Sequence, residues 1–363
     1  MKLSAPGKIF LAGEYAVLDG APALVAGLDL RLHAECGPAA RTELVRGDAR
    51  WSSGPVPAEL RFAKAGLDLG ARLCAEEGRA PRSLRLSFED DFSLAGLKLG
   101  LGGSAAATVI GVRAACLAHE RPVTDAEVLA LAAAAHWAGQ GGSGSGGDVA
   151  ACTLGGVLRV RALHAWRSAE EVLQTPARAL AQATPVEALR LRVPDDLRLL
   201  LIFTGVPADS RALVRGVKAF AAARPLEWKE HAARIAAASA ALERALAAAG
   251  APRETTEEID GAEAALPIRG AAQQAAFAAV REGAAAMAAL GTAAGVDIVT
   301  GPLQRACAVA ASAGAAAKPS GAGGGDCAVA LCFGEAALDA LERAFLGLFP
   351  VLRASPASAT PSR

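Results

Sequence analysis

Charge of one sign, long apolar runs and aromatic side chains are what this chain lacks. Lysine plus arginine and aspartate plus glutamate each total 37, so the formal net charge is +0. Such a balance leaves no electrostatic footprint for nucleic acid, and no basic run or basic amphipathic stretch recommends a membrane surface. No apolar run approaches the ~20 residues that span a bilayer. The opening Met1-Lys2-Leu3-Ser4-Ala5-Pro6-Gly7-Lys8 breaks with Pro, Gly and Lys before an apolar core can build, so no signal peptide is expected. The seven cysteines are odd in number and form no CxxC pair. Several sit in apolar patterns such as Cys327–Cys332, which predicts buried free thiols in a reducing cytoplasm. The histidines, 33, 119, 136, 164 and 231, show no HExxH or other ligand spacing, so no structural zinc site is expected. The glycine-rich stretch Lys98–Ala107 has neither the GxxxxGK[ST] pattern nor GxGxxG spacing, which sets aside the common nucleotide loop and the dinucleotide fingerprint for it.

What is present is alanine, glycine and a clear alternation of elements. A chain of 363 residues with 53% hydrophobic side chains has material for a sizeable core and suggests two domains. Leu28 to Cys36 and Ser83 to Glu89 alternate as half-buried strands, and Gly155 to Arg161 returns as another. Arg198 to Thr204 and Ala328 to Phe333 are nearly continuous apolar runs, read as buried strands. Helices are predicted over Ser104–His119, Asp125–Trp137 with Thr124 as N-cap, Ser210–Ala223, Glu227–Ala249, Gln273–Leu290, Pro302–Ala313 and Glu335–Leu348. With only 4% aromatic residues, these alanine-weighted helices imply packing through small side chains. Arg192-Val193-Pro194-Asp195-Asp196 has the turn chemistry of a domain junction. Ser355 to Arg363, rich in Pro, Ser and Ala, reads as a frayed tail.

Three glycine-rich loops carry the candidate chemistry. Lys98-Leu99-Gly100-Leu101-Gly102-Gly103-Ser104-Ala105-Ala106 runs straight into a helix. Its backbone N–H groups can approach an anion closely, and the positive end of the helix dipole faces that anion. Ser104 offers a hydroxyl that caps the helix or reaches a phosphate-bound metal. Taken alone, the same turn also serves as a plain strand-to-helix connection. The second loop, Gln140-Gly141-Gly142-Ser143-Gly144-Ser145-Gly146-Gly147-Asp148, ends in one carboxylate suited to accept a proton or orient a hydroxyl. Gly/Ser runs are usually linkers, but this one is short and leads into an apolar segment. The third, Lys318-Pro319-Ser320-Gly321-Ala322-Gly323-Gly324-Gly325-Asp326, leads into a strand. Near the start, Lys8 sits between a Pro-Gly turn and a strand-like run, where a lysine can pair with a phosphate or a carboxylate.

The order "PGKIFLAGEYAVL", "GLGGSAA", "KPSGAGGGDC" resembles the three motifs of the GHMP small-molecule kinases, over Ala5 to about Leu331. Within that family "AHWAGQGGSGSGGDVAACTLGG" and Thr204-Gly205-Val206-Pro207-Ala208-Asp209-Ser210 look most like the phosphomevalonate kinase pattern. The resemblance implies a two-domain α+β fold. An N-terminal α/β, ATP-binding domain (1–193) and a ferredoxin-like C-terminal domain (194–354) would meet at an active-site cleft, followed by a flexible tail (355–363). It implies ATP on Lys98, Gly100, Leu101, Gly102, Gly103, Ser104, Ala105 and Ala106, with Mg²⁺ near Ser104. Lys8 and Asp148 would be catalytic, and the substrate would meet Lys8, Tyr15, Ala16, Gln140, Ser143, Ser145, Gly146, Ser320, Gly321 and Ala322. The implied partners are ATP and phosphomevalonate in a cytoplasmic monomer or homodimer. A family kinase acting on a hydroxyl, such as mevalonate kinase, and a silent metabolite sensor remain the alternatives. Two departures stand out. Gly103 replaces the first serine of the usual Gly-Leu-Gly-Ser-Ser, and no carboxylate occupies the region of His136-Trp137, where mevalonate kinases carry a metal-ligating glutamate.

Overall fold

Apolar residues carry the start of the chain into two long strands, β1 (Lys2–Ala12) and β2 (Ala23–Pro38). The computed structural model describes residues 1–89, 92–94, 97–163, 165–251 and 261–357, with side chains except at 93–98 and 261–269. Contacts divide the chain into two units. The first comprises Met1–Lys8, Ala26–Ala188 and the chain from Ala357; the second comprises Ile9–Val25 and Leu189–Pro356. The grouping differs from a purely contiguous division by an exchange near the start. β1 and β2 each begin in one unit and end in the other, which assigns Ile9–Val25 to the later half of the chain. The fold is a two-domain mixed α+β one.

In the first unit follow β3 (Glu43–Arg46), β4 (Ala49–Trp51), α1 (Arg61–Glu76) and β5 (Leu84–Phe88). After a two-stranded pair, β6 (Ser93–Leu94) and β7 (Leu97–Lys98), come α2 (Gly103–Ala118), α3 (Asp125–Gly139) and α4 (Gly147–Leu154). The unit closes with β8 (Gly156–Ala162), the short α5 (Ala169–Gln174) and α6 (Ala177–Ala181), and β9 (Val186–Arg190). The sheet runs β4-β3-β5-β2-β8-β9, with β1 also paired to β2. Thr124 is the N-cap of α3 as expected, within a full capping box to Glu127.

Helix α1 was not legible in the sequence. It has no side-chain cap and carries two glycines, yet Ala63, Gly66, Leu67, Gly70, Leu73 and Cys74 recur at helical spacing and are buried. The glycines have a packing reason. A Cβ on Gly66 would lie 2.2 Å from Thr108 O, and one on Gly111 would lie 2.3 Å from Ala63 O. Helices α1 and α2 therefore touch backbone to backbone, and α2 is buried along almost its whole length.

In the second unit β10 (Leu197–Phe203), β11 (Ala316–Pro319), β12 (Cys327–Phe333) and β13 (Val351–Ala354) form an antiparallel sheet, order β11-β12-β10-β13. Leu200 opposes Ala330, and Ala330 opposes Ala317. The same face, with Ile202 and Ala328, packs on Leu303, Leu338, Leu341 and Phe345. Those side chains come from α10 (Gly301–Ser312) and α11 (Glu335–Phe345), while α7 (Ser210–Ala223), α8 (Pro225–Ala249) and α9 (Gly261–Ala294) complete the unit. The expected tail starts later than Ser355, because Ala357 N donates to Gly27 O at 2.7 Å and Ala357 is buried. Residues 358–363 of that tail lie outside the described residues. Among the described residues, no helix is long and apolar enough to cross a membrane.

Helix contact at this distance predicts a specific sensitivity. Gly66→Ala and Gly111→Ala should each destabilise by about 1–3 kcal/mol, because a methyl has no room and the helices must part. Gly270→Ala, on α9 with nothing within 4 Å of a Cβ, should instead be neutral or gain up to ~1 kcal/mol from helix propensity. Urea unfolding of the three variants checks this, and a stable Gly66→Ala protein contradicts it.

Candidate active site

The first glycine loop is anchored from beneath. Leu99 and Leu101 are buried, while Gly100 and Gly102 take the left-handed backbone at φ 66° and 81°. Buried leucines alternating with glycines press the loop onto the core and leave its outer side without side chains. Gly102 is the N-cap of α2, and among the described residues no side chain caps that helix. Ser104 therefore does not serve as the cap. The first-turn N–H groups have no intrahelical acceptors by geometry, so the turn is open toward an anion.

Lys8 lies against this turn. Its backbone N–H donates to Leu101 O at 2.8 Å. A Cβ on Gly102 would come within 2.5 Å of Lys8 Cγ and 3.0 Å of its Cε, so the lysine stem occupies the space that glycine leaves. Any larger residue at 102 would displace the stem or break the left-handed turn. Lys98, also expected here, belongs to β7, and its side chain lies outside the described residues.

Ser104 and Asp148 are joined by a histidine to which sequence reasoning gave no role. His136 Nε2 is 3.1 Å from Ser104 Oγ, and His136 Nδ1 is 3.8 Å from Asp148 Oδ2. Gln140, one turn further along α3, brings its Nε2 to 3.5 Å from His136 Nε2. The imidazole is only 2% exposed. Burial holds it below the usual histidine range; Asp148 opposes this, and Lys8 and Arg61 reinforce it. The sequence carries a signal for this residue: a polar ring after Ala132-Ala133-Ala134-Ala135, on an otherwise apolar helix face, needs partners.

Asp148 sits in the first turn of α4, whose N-cap is Gly146 at φ 74°. One carboxylate oxygen accepts from Val149 N at 2.9 Å; the other faces His136. One turn further along α4, Cys152 brings its thiol to 4.0 Å from Gly102 O. Burial and Asp148 push that thiol well above its usual range, with Lys8 and Arg31 opposing. The serines of the second loop are used locally. Ser143 Oγ donates to Gln140 O at 3.2 Å, and Ser145 Oγ accepts from Gly147 N at 3.3 Å. Gly146 rests on Val186. Lys8, Gly102, Ser104, Gln140, Ser145, Gly146 and Asp148 thus belong to one unit, in which His136 meets Ser104 and Gln140 and faces Asp148.

The remaining expected residues belong to the second unit and have structural bonds of their own. Lys318 is a buried residue of β11 and pairs with buried Glu14. Its Nζ also donates to Pro319 O at 2.5 Å. Among the described residues, Glu14 Oε2 has no hydrogen-bond partner. Tyr15, at φ 63°, donates its hydroxyl to Ala322 O at 2.5 Å; burial raises its pKa, and Glu14 adds to the shift. Tyr15 and Ala16 pack in an apolar cluster with Val217, Trp228 and Leu290, so their side chains face the core rather than open surface. Ser320 Oγ bonds to both Phe10 N and Phe10 O, at 3.0 and 3.1 Å. Gly323 is held where a Cβ would be 2.1 Å from Ile298 O. The expected ligand loop is therefore, within its own unit, a pinned connection between β11 and β12. Gly321 carries no close neighbour.

Comparison with known proteins identifies the family of this chain. The family model described as GHMP kinases N terminal domain matches residues 68–156, and GHMP kinases C terminal matches 268–350. The phosphomevalonate kinase of Streptomyces sp. (strain CL190) is 30% identical over 361 residues, covering 92% of this chain and 90% of that enzyme. The solved Streptococcus pneumoniae phosphomevalonate kinase, in complex with phosphomevalonate and AMPPNP, superposes at TM-score 0.80 and 20% identity, over 98% of this chain and 100% of that one. The mevalonate kinase of L. major with R-mevalonate gives TM-score 0.66 and 21% identity, over 99% and 97%. A chain built on this fold, with these motifs, belongs to the GHMP kinase family.

The buried Glu14–Lys318 pair predicts a stability effect separate from the first cluster. Lys318→Met leaves a buried carboxylate without its counter-charge and should cost about 3–5 kcal/mol. Adding Glu14→Gln removes that charge and should restore part of the loss. Chemical denaturation of the single and double variants measures the difference; a double variant no better than Lys318→Met refutes it.

Proposed function

We propose that this chain transfers the γ-phosphoryl group of ATP to the phosphate of (R)-5-phosphomevalonate, giving 5-diphosphomevalonate and ADP. The observation that carries the kinase reading is the uncapped N-terminus of α2 with the Lys8 stem laid against Gly102. The acceptor is supported by the 30% identity to the Streptomyces enzyme across nearly the whole of both chains.

Phosphoryl transfer asks a protein mainly for positioning and charge stabilisation. In this reading the first-turn amides of α2, from Gly103 to Ala106, hold the ATP phosphates. The acceptor phosphate oxygen attacks the γ-phosphorus. The bond from that phosphorus to the β,γ-bridging oxygen breaks, and ADP leaves with the electron pair. A phosphate monoester has its second pKa near ~6, so at neutral pH the acceptor is largely dianionic and needs little deprotonation. Lys8 offsets the charge that gathers between donor and acceptor. Asp148 orients Lys8 and the acceptor, or takes up the residual proton. Mg²⁺ suits the residues present. Ser104 offers a hydroxyl oxygen with the Asp148 carboxylate across His136, and this ion takes few protein oxygens beside phosphate and water. Bound there, it would neutralise charge on the ATP phosphates. By the same reading, the acceptor is met by Gln140, Ser143, Ser145 and Gly146.

Purified protein with ATP and Mg²⁺ should use phosphomevalonate at least ~100-fold better than mevalonate in kcat/KM, about 2.7 kcal/mol of differential transition-state binding. Equal use of mevalonate would transfer the assignment to a hydroxyl kinase, and absence of ADP release with either would indicate a binding protein. Lys8→Met should lower kcat by ~3 kcal/mol or more in activation free energy. Asp148→Asn distinguishes its two roles. If Asp148 acts through Lys8, the double variant is little worse than Lys8→Met alone; if it takes a proton, the losses add. Near-full kcat in both single variants would mean that the chemistry lies elsewhere.

A further inference from the structure

His136 stands between a hydroxyl and a carboxylate. Its Nε2 is 3.1 Å from Ser104 Oγ, with Gln140 Nε2 at 3.5 Å. With the ring proton on Nδ1, the edge turned to the carboxylate, Nε2 accepts from the Ser104 hydroxyl. That edge of the ring faces Asp148 Oδ2 at 3.8 Å. The Ser104 hydroxyl proton is thereby directed into the protein. Its two lone pairs are left facing away from the ring, at the open first turn of α2.

The geometry points to His136 as a positioning residue for the cation that accompanies the nucleotide. By accepting the Ser104 proton, it presents the serine oxygen to the metal as a pure acceptor. It does so from a buried ring in a region where the mevalonate kinase pattern has a carboxylate. The inference deepens the proposed kinase reading and rests on its nucleotide half alone. His136 touches no reacting atom; it acts through Ser104. Partners of this kind behind a metal ligand typically change metal affinity by roughly 10–100-fold.

Two substitutions separate this role from simple filling of the core. His136→Gln keeps an amide oxygen that can accept from Ser104, reaching about as far as Nε2. His136→Asn is shorter and keeps polarity only near Asp148. Binding is measured by titration calorimetry with ATP in the presence of Mg²⁺ and with ATP in excess chelator, without any acceptor. His136→Asn should weaken Mg²⁺-ATP binding about tenfold and leave metal-free ATP binding within twofold of wild type, and His136→Gln should recover most of the loss. Ser104→Ala should weaken Mg²⁺-ATP binding similarly, and Ser104→Ala with His136→Asn should be no weaker than Ser104→Ala alone. Melting temperatures of all variants are recorded in parallel. Equal loss with and without metal, or equal loss in the Asn and Gln variants, overturns the inference, since only a packing role treats those alike. Wild-type protein that binds no Mg²⁺-ATP would overturn the kinase reading and this inference together. A wrong acceptor assignment leaves the result untouched.

Discussion

Backbone-to-backbone contact between α1 and α2 is the constraint on which the first unit depends. Gly66 and Gly111 let the two helices approach until carbonyl oxygens occupy the space of missing methyl groups. That contact fixes α2 against movement along its axis. A fixed α2 fixes its N-terminus, and the Gly100–Gly102 turn follows from it. The leucines of the turn point inward and are buried, so the turn cannot lift without exposing two large apolar side chains, at about 1.5–3 kcal/mol each. The abundance of alanine is part of the same arrangement. Ala105, Ala106, Ala107, Ala114 and Ala115 are all buried on α2, and small side chains are what allow three helices and a sheet to approach one helix from several sides.

Much of the fold was legible because its signals are local. The Thr124 cap, the boundaries of Ser210–Ala223 and the apolar runs of β10 and β12 each depend on residues within a few positions of one another. What was not legible depends on distant partners. Helix α1 has the right spacing, but its two glycines argue against a helix until Thr108 and Ala115 are placed opposite them. Lys318 reads as a loop residue ahead of a glycine run; it is a buried strand residue because Glu14, 304 positions away, supplies its counter-charge. The exchange of Ile9–Val25 into the later unit is likewise invisible to composition.

The candidate site divides in the same way. The Gly100–Ser104 turn, Lys8 and Asp148 stand out in the sequence because glycine and lone charges stand out. Their relation does not. Nothing in the sequence ties Ser104 to Asp148 except a histidine 32 positions beyond the serine, in a stretch that reads as plain apolar helix. Tyr15, Ser320 and Ala322 belong to recognisable motifs, and in their own unit their polar groups bond to one another's segments, which no motif announces. A motif can persist because it holds a loop in shape as readily as because it touches a ligand.

One of the two departures from the wider family pattern then acquires an electrostatic sense. At Gly103 a hydroxyl is absent, and Arg46 Nη2 stands 3.5 Å from where the Cβ would be. In the region of His136 the mevalonate kinase pattern has a carboxylate, and here an imidazole stands behind Ser104. That second change makes the surroundings of the α2 N-terminus less negative. An acceptor that is itself a phosphate adds about two negative charges beside the ATP phosphates. At an effective dielectric of ~20, two unit charges 4 Å apart cost about 4 kcal/mol, so one further buried carboxylate would oppose binding of such an acceptor strongly. An alcohol acceptor brings no such charge and tolerates it. On the proposed reading, the imidazole at 136 is therefore an answer to an electrostatic demand, the crowding of phosphates beside Lys8.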